Sequence, residues 1–452
     1  ALSAFAGNHL LLSPEEVAKA GYIEPADITA AAGKFGMTDG AEPIDFPAVK
    51  AFKEAVLRQA YAAFCRQEKP ADYMSFCETN RYWLDDYALF MAAGSHFGGL
   101  PWTEWETGLA TRQPAALEKW RLKLAEDIDY HIFLQYLFEC QWRQLKNYAT
   151  DRGIRIVGDL PIFVAHNSSD VWAHSRFFAL DRAGDPLLVA GVPPDYFSKT
   201  GQLWGNPLYD WDAMAADGYT WWLERFAHLL RQVDVIRIDH FRGFEAYWEI
   251  EAGEETAVNG RWVKGPGEAL FRALRQHLGS LPLIAEDLGV ITDEVIRLRQ
   301  AVGVPGMKVL HFCFKSSEDG SYPPLGVDDD SVVYTGTHDN NTTVGWYVED
   351  LSPDLQETVT AYLGLENHAT SEQLCWRLIE LAYMGKGRTV IVPIQDILHL
   401  DSSSRMNKPG TLAAANWAWR LAAGMLTEAS AKRLRQLALR YGACSGPAGA
   451  PV

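Results

Sequence analysis

The stretch Val233-Asp234-Val235-Ile236-Arg237-Ile238-Asp239-His240-Phe241-Arg242-Gly243 decides the fold. Val235 to Asp239 is a β-branched run that ends in a carboxylate, the pattern of a strand covered by helices on both faces. Two further runs repeat it. Leu281-Pro282-Leu283-Ile284 leads into Ala285-Glu286-Asp287-Leu288-Gly289, and Ser331-Val332-Val333-Tyr334 leads to Thr337-His338-Asp339-Asn340-Asn341-Thr342. Asp239 and Glu286 stand 47 residues apart, and Glu286 and Asp339 stand 53 apart, the repeat of strand-helix units carrying an insertion or two. Three acids at the ends of three buried strands point to carboxylate-driven sugar chemistry in a barrel.

Working outward, six segments read as buried parallel strands: Ile154–Asp159, Val235–Asp239, Leu283–Asp287, Met307–Phe312, Val332–Asp339 and Val390–Asp396. Helical patterns lie between them, among them Gly267–Leu278 and Thr292–Val302, the latter with Thr292 as N-cap before Asp293 and Glu294. This alternation predicts an α/β architecture with right-handed crossovers. An open doubly wound sheet would carry a Gly-rich phosphate loop after its first strand, and no such loop is present. The expected fold is a (β/α)8 TIM barrel, one domain over 1–452, with inserted helical subdomains. Ile44-Asp45-Phe46 reads as a seventh, short strand. The first strand is expected to be missing before Ala1, because Ala1-Leu2-Ser3-Ala4-Phe5 reads as the inside of a loop in an N-terminally truncated chain. Residues 47–150, with Tyr82-Trp83-Leu84-Asp85-Asp86-Tyr87, read as a helical insertion. Residues 184–211 are too rich in Gly, Pro and aromatics for regular structure, and a long ordered loop of this kind is usually functional.

The 452 residues include 48% hydrophobic ones, enough for a sizeable core. Lys and Arg number 41 against 58 Asp and Glu, a net charge of −17 that repels phosphate backbones and anionic membranes. Neither nucleic acid nor a membrane is expected as a partner, whereas a neutral sugar is indifferent to that charge. The six cysteines show no paired metal spacing, and His131, His166, His174 and His240 form no ligand motif, so no metal is expected. No apolar run approaches the roughly 18 residues of a membrane span, and no leader pattern opens the chain. Reduced thiols in the cytoplasm are the simplest reading.

Retaining transfer at an anomeric carbon needs one carboxylate to attack and one carboxylic acid to protonate the leaving oxygen. Arg237 lies on the same strand face as Asp239, so its guanidinium is expected to keep Asp239 ionised, as suits a nucleophile. Glu286 follows an apolar run that raises a carboxyl toward the general-acid range. Only one of Glu286 and Asp287 should point into a barrel mouth, and Asp287 and Asp293 read as structural caps or ion pairs. His338 and Asp339 are placed to grip sugar hydroxyls and favour a charged, flattened transition state. Aromatic residues make up 12% of the chain. Tyr196, Phe197 and Trp204 on the long loop are the expected sugar platforms, while Trp83 and Trp222 read as core. On these grounds a hydrolase of the α-amylase type and a transferase stand level.

The chain resembles the amylomaltases, 4-alpha-glucanotransferases of glycoside hydrolase family 77. The resemblance runs through Ser3-Ala4-Phe5-Ala6-Gly7-Asn8, Phe76-Cys77-Glu78, Trp83-Leu84-Asp85-Asp86-Tyr87, Gly158-Asp159-Leu160-Pro161-Ile162-Phe163-Val164-Ala165, Asp170-Val171-Trp172-Ala173, the three acid-bearing runs, Arg405-Met406-Asn407 and Asn416-Trp417. It implies a (β/α)8 barrel without an obligatory cofactor, acting on maltooligosaccharides, glucose and starch- or glycogen-type glucans. By the same match Asp239 is the nucleophile, Glu286 the acid/base and Asp339 the transition-state stabiliser. Arg237, His338, Asp159 and Asn407 become sugar-site residues, and the loop of Tyr196, Phe197 and Trp204 becomes a lid that excludes water and so tilts the reading to transfer. The family's Ser-Pro-Tyr run would precede Ala1, which leaves a carbohydrate-binding protein inactivated by truncation as a further alternative. Asn340-Asn341 and Ser402–Ser404 also depart from the family pattern, away from the three acids.

Overall fold

The helix Phe46–Arg66 buries Phe52, Val56, Leu57, Ala60, Tyr61 and Phe64, a three-to-four-residue spacing that places them on one stripe. It packs in a bundle with the helices Tyr73–His96 and Ala125–Thr150. The seam is aromatic: the Phe64 ring centroid lies 4.5 Å from that of Phe133 and 5.2 Å from that of Tyr73, and Tyr73 meets Tyr136 at 5.2 Å. Trp83 is buried here too, as read from sequence. Phe46 opens a helix, so Ile44-Asp45-Phe46 is not the expected short strand. Pro47 explains this, since proline fits a first helical turn, where its missing N–H has no partner to lose. The Ile44 N–H bonds the Ala418 carbonyl at 2.7 Å.

The computed structural model describes residues 1–442 apart from 38, 39, 41, 195–197, 315–329, 367, 386 and 388. The chain forms two units, one of Ala1–Met37, Ala48–Pro282 and Gly289–Val302, the other of Thr38–Pro47, Leu283–Leu288 and Gly303–Val452. No helix among the described residues is long and apolar enough to cross a membrane.

In the first unit β1 (Val157–Pro161) pairs in parallel with β4 (Val235–Asp239), with Asp159 opposite Arg237 and Pro161 opposite Asp239. The four residues Val235–Ile238 are buried, as their apolar run predicts. β1 differs from the expected Ile154–Asp159. Gly153 reverses the chain at φ 66° and the Ile154 N–H closes back onto Ala149, so Ile154 belongs to the helix end and the strand begins later. The helix Thr220–Gln232 leads into β4 and buries Trp221, Trp222 and Phe226.

Residues 184–211 are not irregular throughout. They carry β2 (Leu188–Val192) and β3 (Gln202–Pro207), which join β5 (Ala246–Glu251) and β6 (Gly260–Lys264) in an antiparallel sheet ordered β3-β2-β5-β6. The apolar run of β2 is paired on both sides, and Pro193 and Gly201 bound the strands without breaking them. Gly191 is required, because a Cβ there would run into the Gln202 carbonyl of β3.

In the second unit β7 (Leu283–Ala285) is followed by β8 (Gly306–Val309), β9 (Ser331–Tyr334) and β10 (Thr389–Ile391), the last three forming a parallel sheet ordered β10-β9-β8. All are shorter than read from sequence. Leu310 turns into a 3-10 helix, and Pro393 starts the helix Ile394–Ile397. Leu310, Val333, Trp346, Val359, Leu374 and Leu378 form the core, with the Trp346 ring stacked on His311 at 4.4 Å.

Burial also sets a pH dependence. His131 lies inside the helical bundle with neither ring nitrogen hydrogen-bonded among the described residues, and burial pushes its pKa from the ordinary 6.5 down to about 4. A depressed histidine contributes stability that is present above pH 6.5 and lost as pH falls toward its folded value. Between pH 7 and 5 this group should therefore withdraw about 2 kcal/mol. Urea unfolding of His131→Leu and the parent at both pH values tests this: the variant should lose less stability on acidification, and equal losses would refute it.

Candidate active site

β1 and β4 bring three charged side chains to one place because their register sets Asp159 beside Arg237, and the strand period sets Arg237 and Asp239 on one face. Arg237 Nη1 donates to Asp159 Oδ1 at 2.6 Å and to Asp239 Oδ1 at 3.0 Å. The Arg237 side chain is 11% exposed, against 45% for Asp159 and 42% for Asp239. The cation is thus buried beneath two carboxylates that remain open to a ligand. Both border a cavity of ≈450 Å³ together with Phe163, Trp204, Asn206 and His240, a size within the range of small-molecule sites.

Immediately after Asp239, His240 adopts φ 53°, the left-handed region rare for residues with a side chain. It turns the chain from β4 into the 3-10 helix Phe241–Phe244. Burial, helped by Arg242, holds its imidazole neutral, with a pKa lowered to about 3. The Trp204 ring meets it edge-on at 4.9 Å, and Asn206 Nδ2 donates to the Val164 carbonyl at 2.8 Å. Trp204 therefore lines the same cavity as Asp159 and Asp239. Tyr196 and Phe197 lie outside the described residues.

In the second unit His338 and Asp339 sit on the loop after β9. Asn407 Nδ2 donates to Asp339 Oδ1 at 2.6 Å, Arg405 Nη2 donates to the Asp339 carbonyl at 2.7 Å, and His338 Nε2 lies 3.4 Å from Asp339 Oδ2. The Asn407 N–H also donates to the His338 carbonyl at 3.1 Å. Below this loop the buried Asp396 accepts from the Thr335 hydroxyl at 2.6 Å and the Thr343 N–H at 2.9 Å, clamping both ends of the segment that carries His338 and Asp339. Burial pushes its carboxyl upward.

The pair after β7 divides its labour. Asp287 Oδ1 accepts the Met307 N–H at the start of β8 at 2.8 Å, a backbone-tying role, while Glu286 Oε1 accepts the Leu288 N–H at 3.0 Å. Among the described residues no group of three or more His, Cys, Asp or Glu is arranged to hold a metal ion.

Sequence reading named Asp159, Arg237, Asp239, Trp204, Glu286, His338, Asp339 and Asn407. It missed Arg405, Asn206, His240 and Asp396 as supporting residues. Arg405 and Asp396 are ionisable residue types but reach their partners across 66 and 53 residues, a separation no local pattern encodes.

The family model described as 4-alpha-glucanotransferase, glycoside hydrolase family 77, matches residues 1–427. The chain belongs to this 4-alpha-glucanotransferase family. A 4-alpha-glucanotransferase of a Synechocystis species is 46% identical over 429 residues, spanning 92% of this chain and 82% of that protein. The Thermus thermophilus 4-alpha-glucanotransferase is 44% identical over 444 residues, spanning 96% and 86%. An amylomaltase from Streptococcus agalactiae, solved in complex with acarbose, superposes with a TM-score of 0.91 at 35% identity, covering 98% of this chain and 88% of that one. The mixed helix-and-sheet fold is that of the 4-alpha-glucanotransferase family, and membership makes the chain a glucan-transferring enzyme. Of the two activities that the carboxylates left level, transfer is the one the family carries.

Proposed function

We propose that the enzyme transfers α-1,4-glucan segments between maltooligosaccharides and related glucans by retaining double displacement. The observation that carries this reading is the buried Arg237 guanidinium bridging Asp159 and Asp239 at the wall of the cavity. Asp239 attacks C1 of the donor residue as Glu286 protonates the departing O4, forming a covalent glucosyl-enzyme. Glu286, now ionised, takes the proton from the 4-OH of an acceptor glucan or glucose, and that oxygen displaces Asp239. Asp339, oriented by Asn407, stabilises the positive charge that develops on the sugar ring. Arg237 bonds and orients Asp239, Asp159 and His338 bind hydroxyls, and Trp204 stacks on a sugar face.

The same reading assigns the parallel strands to a (β/α)8 barrel, residues 47–150 to a helical insertion, and the β2–β3 region to a lid over the donor with Tyr196 and Phe197. A lid that keeps water from the glucosyl-enzyme favours an acceptor sugar over hydrolysis. The scattered cysteines, unbridged at the five described positions, suit the cytoplasm. Incubation with maltotriose alone tests the activity. Glucose and a ladder of longer maltodextrins are expected, and accumulation of only maltose and glucose would count the enzyme a hydrolase.

A further inference from the structure

We propose that Trp417 is a sugar-stacking, specificity-determining residue, a platform for a glucosyl unit bound beside His338 and Asp339; this rests on the glucan-transfer reading above. Trp417 is 48% exposed, so its indole does not serve mainly as core. Its ring centroid lies 5.2 Å from that of His338 at an interplanar angle of 37°. Its backbone has φ 62°, a conformation that residues bearing a side chain rarely adopt outside sites that require it.

The surrounding segment holds it there. The Trp417 N–H donates to the Met406 carbonyl at 2.6 Å, next to the Asn407 that bonds Asp339. The neighbouring Asn416 accepts the Lys408 N–H at 3.1 Å and donates to the Thr411 carbonyl at 3.0 Å, closing the segment 407–416 into a fixed turn. One short stretch thus supplies Arg405 and Asn407 as partners of Asp339 and an open indole face beside His338. Planar apolar surface next to directed hydrogen-bonding groups is the chemistry that recognises a pyranose ring, whose C–H face stacks while its hydroxyls bond. A residue that only braced His338 would need no exposed ring.

The test compares the parent with Trp417→Phe, Trp417→Leu and Trp417→Ala in maltotriose disproportionation, with thermal melting of each. The Ala variant should raise KM about tenfold with kcat little changed, the expected scale for truncating an aromatic binding anchor. Phe, which keeps a flat face, should hold KM near the parent, and Leu, which fills space without one, should follow Ala. The Phe–Leu contrast decides the matter if the Ala variant melts early. Equal KM for Phe and Leu in an active enzyme, or a loss of kcat alone, overturns the assignment by itself. A parent enzyme that makes no ladder from maltotriose overturns the transfer reading, and this one with it.

Discussion

An Asp239→Asn enzyme transfers glucosyl units at least about 10⁴-fold more slowly than its parent while keeping its fold. The amide matches the carboxylate in shape but is not a nucleophile toward an anomeric carbon. It can still accept from Arg237, so the β1–β4 junction and the melting temperature should change little. Glucose release from maltotriose gives the rate, and turnover within tenfold of the parent would sink the proposed mechanism. A complementary experiment removes the side chain altogether. In Asp239→Ala, azide entering the vacated face should restore cleavage of an activated donor and yield a β-configured glycosyl azide.

Glu286→Gln should slow disproportionation of maltotriose by about 10² to 10⁴-fold, the usual weight of general acid–base catalysis. The loss depends on the leaving group. An α-maltosyl fluoride departs without needing a proton, so its fluoride release in the first half-reaction should stay near the parental rate. Transfer to an acceptor still needs a base and should lag, letting the maltosyl-enzyme accumulate for detection by mass spectrometry. Equal losses on both donors would remove Glu286 from the acid role. Asp287→Ala supplies the contrast. Its carboxylate ties the Met307 N–H, so that variant should lower stability and leave the dependence on leaving group unchanged.

Much of this was legible in residue order. The strands β1, β4, β7, β8, β9 and β10 all fall within or beside runs read as buried strands, although β1 buries only Leu160 and β10 is half-buried throughout, so the apolar runs marked where strands form better than how deeply they are covered. Their ends were misjudged where a bond made elsewhere in space terminates the ladder, as the Ile154–Ala149 closure does before β1. β5 and β6 left no clear signal, and β2 and β3 were read as loop. Gly and Pro dominated their neighbourhood, and the pairing that makes them strands joins segments some 60 residues apart, as in Val189 with Ile250. In the candidate site, acids at strand ends stood out locally. Arg405, His240 and Trp417 did not, and Asp396, though read at a strand end, showed nothing of its bonds to Thr335 and Thr343, since these roles depend on partners or backbone angles that residue type alone does not display.

What the sequence by itself determined is the inventory: apolar runs ending in Asp239, Glu286 and the His338-Asp339 pair, an arginine two residues before the first acid, and motifs sufficient to place the family. These are properties of near neighbours, governed by side-chain period and burial. Tertiary structure decided which groups share a bond. It set Asp159 against Arg237 across 78 residues through the β1–β4 register, and it spent Asp287 on the Met307 amide beside Glu286. It also joined Asn407 to Asp339 across 68 residues and left Trp417 open beside His338. Those outcomes depend on register and loop closure, which are fixed only when the whole core packs.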